Sequence, residues 1–342
     1  MVASLVIACG DGGGPGTSAR SFLMGFSPIP PKLELDLLLA GVNSFRRRSD
    51  AAILHQSVPW TVLLSGISAD SAVRANELGL ANLFRAYGLR VVVTVDATDG
   101  LARDREAPEL VAAGRSITEP AIQALYRAYV RSIATLVQPD YLGLAAETNL
   151  IRAAAPDSVY DALVAMTNAA ASDLATDGVV SRLYVSVQVE VAWGGLGGGG
   201  YQGIATDLVD FPFIEALGLS SYPYLGGIAV PEALPPNYYE RLATESSLPV
   251  LVVEGGWPST SVAGVTSTPA VQARYIARQM ELLDAADAAA VFQLTYADLH
   301  PSIFPPGSIL PLFATLGLAD TALAPKPALA VWDSAFARPR IP

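Results

Sequence analysis

Cysteine, histidine and charged residues are all scarce in this chain of 342 residues. One cysteine excludes a disulfide within the chain, and two histidines beside it leave few ligands for zinc. We therefore expect no metal centre and no cofactor. Charged residues make up 15% of the chain, and the net charge at pH 7 is −11. Nucleic acid is not expected as a partner, because binding phosphate groups requires a positive surface.

Long apolar runs are also missing. No run reaches the roughly 18 residues that are needed to cross a bilayer. Hydrophobic residues nevertheless make up 51% of the chain, which excludes disorder and supplies a large core. The length fits two average domains or a single α/β barrel.

The N-terminal segment indicates where the protein is located. Val6-Ile7-Ala8-Cys9 resembles the lipobox of bacterial lipoproteins, and a glycine-rich tether follows it. The resemblance implies lipidation of Cys9 and an extracytoplasmic, membrane-anchored protein in the periplasm or on the cell surface. The alternative is a frayed N-terminus with an incidental cysteine. In both cases we expect residues 1–20 to lie outside the fold and residues 21–342 to form the folded domain.

The rest of the chain alternates between short apolar runs and segments with helical periodicity. Nearly continuous apolar strands indicate a parallel sheet that is buried on both faces. Eight such strands predict a single (β/α)₈ barrel, with a doubly wound open sheet as the alternative. The predicted strands span residues 22–26, 52–57, 89–95, 141–146, 183–191, 216–221, 249–253 and 289–295.

Polar and aromatic side chains follow the predicted strands at their carboxyl ends, where the active sites of such barrels lie. We therefore treat them as candidate site residues. They are His55, Trp60, Asp96, Glu147, Asn149, Glu190, Trp193, Tyr222, Tyr224, Glu254, Trp257 and Gln293.

Two of these candidates, Glu147 and Glu254, end the fourth and seventh strands. A buried carboxylate is costly unless it is paired or hydrogen-bonded, so two of them at one barrel mouth suggest a function. Glycoside hydrolysis uses such a pair, in which one carboxyl donates a proton and the other attacks or activates water. Glu190 and Asp96 are rival carboxylates, because each of them also ends a strand.

Several segments resemble a known family of enzymes. Val253 to Pro258 is similar to the nucleophile segment of the arabinogalactan endo-β-1,4-galactanases, and Leu217 to Tyr224 is similar to their sixth strand. Glu147 and Glu254 resemble the acid/base and the nucleophile of the clan A glycoside hydrolases. The resemblance implies that Tyr222 orients the nucleophile. It covers strands four to eight, and no segment matches the galactanase strand-three loop, so no sugar is assigned.

The resemblance departs from the clan pattern at one position. Most clan A enzymes carry Asn directly before the acid/base, where this chain has Ala146, and Asn149 is our candidate replacement. We expect Trp257 to stack on the sugar, and we expect burial to raise the pKa of Glu147 while hydrogen bonds keep Glu254 ionised.

The sequence thus predicts a monomeric, retaining β-glycoside hydrolase that acts on a polysaccharide or oligosaccharide. A non-catalytic carbohydrate-binding lipoprotein on a barrel scaffold is the alternative.

Overall fold

A closed barrel of eight parallel strands forms the centre of the molecule. The computed structural model describes residues 19–341. The strands follow one another around the barrel in chain order, and β8 pairs with β1 to close it. The predicted (β/α)₈ barrel is therefore confirmed, and an open doubly wound sheet is excluded. The strands are β1 Leu23–Phe26, β2 Ala51–Ser57, β3 Arg90–Asp96, β4 Tyr141–Ala145, β5 Arg182–Gln188, β6 Ala216–Ser221, β7 Val250–Gly255 and β8 Ala290–Gln293.

Helices cover the outside of this barrel and also fill the loops at its mouth. Ser68 and Thr268 each accept a backbone N–H at the start of a helix, and three long helices begin with proline, which lacks the N–H that would go unpaired there. The helices are α1 Leu35–Phe45, α2 Trp60–Leu64, α3 Ala69–Asn76, α4 Leu78–Ala86, α5 Pro108–Ala112, α6 Pro120–Ser132, α7 Thr148–Ala154, α8 Asp157–Thr176, α9 Val189–Ala192, α10 Ala205–Asp210, α11 Glu240–Ser246, α12 Pro269–Ala285 and α13 Pro327–Phe336.

The fifth strand ends earlier than expected. We expected the fifth strand to continue to residue 191, but β5 stops at Gln188 and α9 begins at once. The Gln188 side chain accepts the backbone N–H of Val191, which turns the chain into a helix. Glu190 consequently leaves the alternating pattern on which its predicted position depended.

Inside the barrel, Tyr184 of β5 fills the space below the mouth. Its ring packs so closely on β4 and β6 that a Cβ at Gly143 would lie 2.6 Å from it, and one at Gly218 2.9 Å. These two positions therefore require glycine. The Tyr184 hydroxyl lies 2.6 Å from Thr94 Oγ1 on β3, so the buried polar group has a partner.

The N-terminal boundary of the fold lies slightly earlier than predicted. Arg20 is 3% exposed, is hydrogen-bonded to Asp50 and forms a β-bridge with Arg340, so it belongs to the folded body. The lipobox that ends at Cys9 lies outside the described residues, and lipidation there stays a prediction. Over residues 19–341, no helix is both long and apolar enough to span a membrane.

Away from the mouth, Glu77 is a buried carboxyl between α3 and α4. It is 2% exposed, its Oε1 accepts the Tyr129 hydroxyl at 2.9 Å, and its Oε2 has no partner. Burial raises the pKa of Glu77 to about 7, against the hydrogen bond from Tyr129 that lowers it. The folded state therefore binds this proton more tightly than the unfolded state does.

We expect Glu77→Gln to remove a pH dependence of stability. In the wild type, the free energy of unfolding should fall as the pH rises from the unfolded pKa of Glu77 through its folded pKa. Denaturant unfolding of both proteins should show the variant gaining roughly 1–3 kcal/mol relative to the wild type between about pH 5 and pH 8. Glu109→Gln removes an exposed carboxylate and should keep the wild-type slope. An equal slope in Glu77→Gln and wild type would contradict the prediction.

Candidate active site

Two carboxylates share one serine hydroxyl at the mouth of the barrel. Glu147 follows β4, Ser220 lies near the end of β6, and Glu254 lies near the end of β7. Ser220 Oγ lies 2.6 Å from Glu147 Oε1 and 2.7 Å from Glu254 Oε1. The two glutamate oxygens are therefore no more than about 5.3 Å apart, the sum of these distances. The structure thus brings the two glutamates together, in the arrangement that the strand pattern predicts.

An arginine from the loop after β3 pairs with one of these carboxylates. Arg103 Nε donates to Glu147 Oε2 at 2.9 Å, and its Nη1 donates to Asp96 Oδ2 at 2.5 Å. Its side chain is only 8% exposed. Burial opposes the positive charge, but Asp96 and Glu147 outweigh that effect and raise the pKa of Arg103. The mouth therefore contains one fixed cation among three carboxyl groups.

The backbone at Glu147 has an unusual conformation. Its φ of 50° and ψ of 46° lie in the left-handed region, which non-glycine residues rarely adopt. Its N–H donates to Ser186 Oγ at 3.0 Å, and α7 begins at the next residue. Such a conformation costs on the order of 1–2 kcal/mol and is typical of functional sites. This turn places the Glu147 carboxyl beside Ser220 and Arg103.

The electrostatic environment of Glu254 differs from our expectation. Burial and the nearby charge of Glu147 raise the pKa of Glu254 to about 7. We expected hydrogen bonds to keep Glu254 ionised, with Tyr222 among the donors. Over the described part of the chain, however, no hydrogen bond joins Tyr222 to Glu254. Tyr222 is 4% exposed and packs edge-on against Phe313, and burial and the charge of Glu254 raise its pKa.

His55 lies on the other side of Glu254. Its Nδ1 is 3.7 Å from Glu254 Oε2, and its buried Nε2 has no partner. Burial lowers the pKa of His55 to about 4, so the ring is neutral near pH 7 and the contact is not an ion pair. A neutral imidazole has one donor and one acceptor nitrogen, and it is therefore suited to contact a hydroxyl group.

Three of the predicted sugar platforms are buried and cannot stack on a ligand. Trp257 is fully buried, stacks on Tyr275 and donates its indole N–H to Ser267. Trp60 and Tyr224 are each 1% exposed, and each donates to a backbone carbonyl. Their position just after a strand reflects the packing of loops onto the barrel, and the predicted stacking role of Trp257 is wrong.

Trp193, the fourth predicted platform, is half-buried and lies beside α11. It stacks on Tyr238 and donates its indole N–H to the Tyr238 carbonyl at 3.1 Å. It therefore anchors the glycine-rich loop that follows it to α11.

Three polar candidates are held by hydrogen bonds within the protein. Glu190 bonds Tyr238 and Ser221, and Ser221 alternates with Ser220, so Glu190 lies on the outer face of the sheet. Gln293 donates to Gln279 of α12. The side-chain amide of Asn149 donates to the backbone carbonyl of Gln188 and accepts the backbone N–H of the same residue. None of the three faces a ligand in the mouth, contrary to expectation.

Two residues at the centre of the site were not predicted. The sequence indicates Ser220 only weakly, as a polar residue near the end of a buried strand that alternates with Ser221. Nothing in the sequence indicates Arg103, because the course of the loop from Ala97 to Ala107 decides where its side chain points.

Solved structures match this chain although no known family model and no curated protein does. An exo-β-1,4-mannosidase from Opitutaceae bacterium strain TAV5 matches with a TM-score of 0.64 and 17% identity, over 94% of this chain and 61% of its own. A GH5_18 protein from Bifidobacterium longum subsp. longum matches with a TM-score of 0.65 and 15% identity, over 96% and 82%. A structure from a study of two fungal β-1,4-galactanases matches with a TM-score of 0.55 and 13% identity, over 86% of this chain and 90% of its own.

These similarities concern the fold, because all the identities are low. The solved structures are glycoside hydrolases of the kind that the sequence resemblance named, so the barrel that this resemblance implies is confirmed. The chain spans about three fifths of the mannosidase, 61% of its length.

We expect Arg103→Ala to destabilise the protein strongly and in a pH-dependent way. Removing one partner of a buried ion pair leaves uncompensated charge, which costs about 3–5 kcal/mol. Arg103 lowers the pKa of Glu254, so without it that pKa rises further and the loss should be larger near pH 8 than near pH 5. Thermal or denaturant unfolding at both pH values measures it.

Arg105→Ala is the matched control from the same loop. The Arg105 side chain is 65% exposed in its ion pair with Asp99, so its removal should cost only about 0–1 kcal/mol. If both variants lose the same small amount of unfolding free energy, Arg103 does not stabilise the protein by neutralising the buried carboxylates.

Proposed function

We propose that this protein is a retaining β-glycoside hydrolase acting on a polysaccharide or oligosaccharide, with Glu147 as acid/base and Glu254 as nucleophile. The observation that carries the proposal is the pair of carboxyls held on one hydroxyl. Their bonded oxygens are at most about 5.3 Å apart. Retaining enzymes have carboxyls roughly 5–5.5 Å apart, whereas inverting enzymes need roughly 6.5–9.5 Å to admit a water molecule.

The reaction would proceed in two steps. Glu254 attacks the anomeric carbon while Glu147 gives its proton to the departing oxygen, which leaves a glycosyl group on Glu254. Glu147, now a carboxylate, takes a proton from water as that water attacks the glycosyl group. Arg103 and Asp96 lie beside Glu147 in this cycle, and neutral His55 would contact a sugar hydroxyl beside Glu254.

The solved structures support this class of reaction. The matching proteins include a mannosidase, xylanases and galactanases, which all act on glycosidic bonds. Because their identities to this chain are low, the sugar and the linkage do not carry over.

We expect the two glutamates to fail in different ways. Glu254→Ala should abolish turnover of every glycoside, with a loss of about four orders of magnitude or more. Glu147→Ala should slow substrates with sugar leaving groups by about 10²–10⁴-fold, but spare the first step for dinitrophenyl glycosides, which need no acid. Added azide should rescue Glu147→Ala and give a β-glycosyl azide, identified by its proton NMR spectrum.

Glu190→Gln is the control, because it changes a buried carboxyl on the other face of the sheet and should retain turnover. An α-glycosyl azide would contradict retention. Wild-type protein that binds oligosaccharides but cleaves no glycoside in a broad panel would support the non-catalytic alternative.

The shared charge also predicts the pH dependence of the reaction. Cleavage of a sugar leaving group requires one proton on the pair, and the pair loses its last proton above about pH 7. We expect kcat/KM for such substrates to fall about tenfold per pH unit above this value. With a dinitrophenyl leaving group the alkaline limb should be absent. Profiles of the same shape for both substrates would contradict this assignment.

A further inference from the structure

Ser220 places its hydroxyl against both glutamates. It is fully buried, at 0% exposure, and lies 2.6 Å from Glu147 and 2.7 Å from Glu254. No other hydrogen bond of its side chain occurs within residues 19–341. Ser221, the next residue, points to the opposite face and bonds Glu190 and Tyr239. The role of Ser220 is therefore confined to the carboxyl pair.

The proton count of a hydroxyl limits what this contact can be. A serine side chain has one proton to donate and two lone pairs that accept. It can donate to one carboxylate only, so a second carboxylate at this distance would face its lone pairs without a proton between them. Two short contacts are satisfied only when one carboxyl is protonated and donates to Oγ. The geometry therefore requires one proton on the Glu147–Glu254 pair.

We propose that Ser220 relays this proton from Glu254 to Glu147, an inference that rests on the function proposed above. The Glu254 O–H bond breaks as its proton moves to Ser220 Oγ. The Ser220 O–H bond breaks at the same time, and that proton moves to Glu147 Oε1. Serine is neutral before and after, while the negative charge moves from Glu147 to Glu254. The relay thus leaves an acid beside the departing oxygen and a carboxylate beside the anomeric carbon.

The charges around the pair set where the proton rests before substrate binds. Arg103 holds Glu147 as an anion, which leaves the proton on Glu254, in agreement with the raised pKa of Glu254. Arg103 also binds Asp96, so it keeps an anionic partner after Glu147 becomes neutral. The titratable and charged groups that face the pair are His55 from β2, Asp96 and Arg103 from β3 and its loop, Tyr184 from β5 and Tyr222 from β6.

The first test follows the first turnover of Ser220→Ala. In the resting variant the proton can leave Glu254 only through solvent, so the first turnover should be about 10²-fold slower than the later ones, which begin with the proton that Glu147 has taken from water. Dinitrophenyl glycosides also need an ionised Glu254, so they should show the same lag at about pH 6 and lose it at about pH 9, where the resting pair has no proton to move. Ser220→Thr keeps the hydroxyl and should shorten the lag, while Ser221→Ala should show none. A loss of kcat without a lag would overturn the relay, since it would indicate a general disturbance of the site.

The second test needs neither a variant of Ser220 nor a substrate. Isotope-labelled glutamate carboxyl carbons, assigned through Glu147→Gln and Glu254→Gln, report by NMR which carboxyl is protonated. The relay requires one proton on the pair at about pH 6, with most of it on Glu254. Two fully ionised carboxylates at this pH would overturn the relay. If no glycoside is cleaved, the proposed function fails, but this titration still decides whether the serine holds a shared proton.

Discussion

Keeping two carboxylates buried within about 5.3 Å of each other is the constraint around which the mouth of this barrel is built. Both groups lose most of their hydration there and repel each other, so each requires compensation from the protein. Glu147 receives it as the charge of Arg103, and Glu254 receives it by holding a proton. The Ser220 hydroxyl then lies within hydrogen-bond distance of one oxygen of each carboxyl. A change in any one of these groups alters the charge state of the others.

The barrel below the mouth supplies the rigidity that this arrangement needs. Tyr184 crosses the lumen against Gly143 and Gly218, which lie on the two strands that carry Glu147 and Ser220. Because larger residues cannot replace these glycines without displacing the ring, the Tyr184 ring is fixed against both strands. The left-handed turn at Glu147 is held in the same region by Ser186 of β5. The strain at the mouth is therefore supported by packing directly beneath it.

The barrel and its two glutamates were predictable from the sequence because they depend on regular alternation. Nearly continuous apolar runs mark the strands, apolar residues with a period of three to four mark the helices, and parallel strands place their carboxyl ends at one mouth. The predictions for Trp257 and Glu190 failed because both residues lie beyond the end of a strand. The direction of the chain there depends on tertiary contacts. Trp257 turns back onto Tyr275, and α9 carries Glu190 to the outer face.

Arg103 shows why charge balance was harder to predict than the carboxylates themselves. The pattern located the anions, but the cation comes from a loop in which nothing distinguishes Arg103 from Arg105, although one is 8% and the other 65% exposed. Its position decides which glutamate holds the proton. Arg103 binds Glu147 and not Glu254, which makes the two carboxyls unequal. The roles proposed here, an acid after β4 and a nucleophile on β7, therefore require a path along which a proton can pass from one carboxyl to the other.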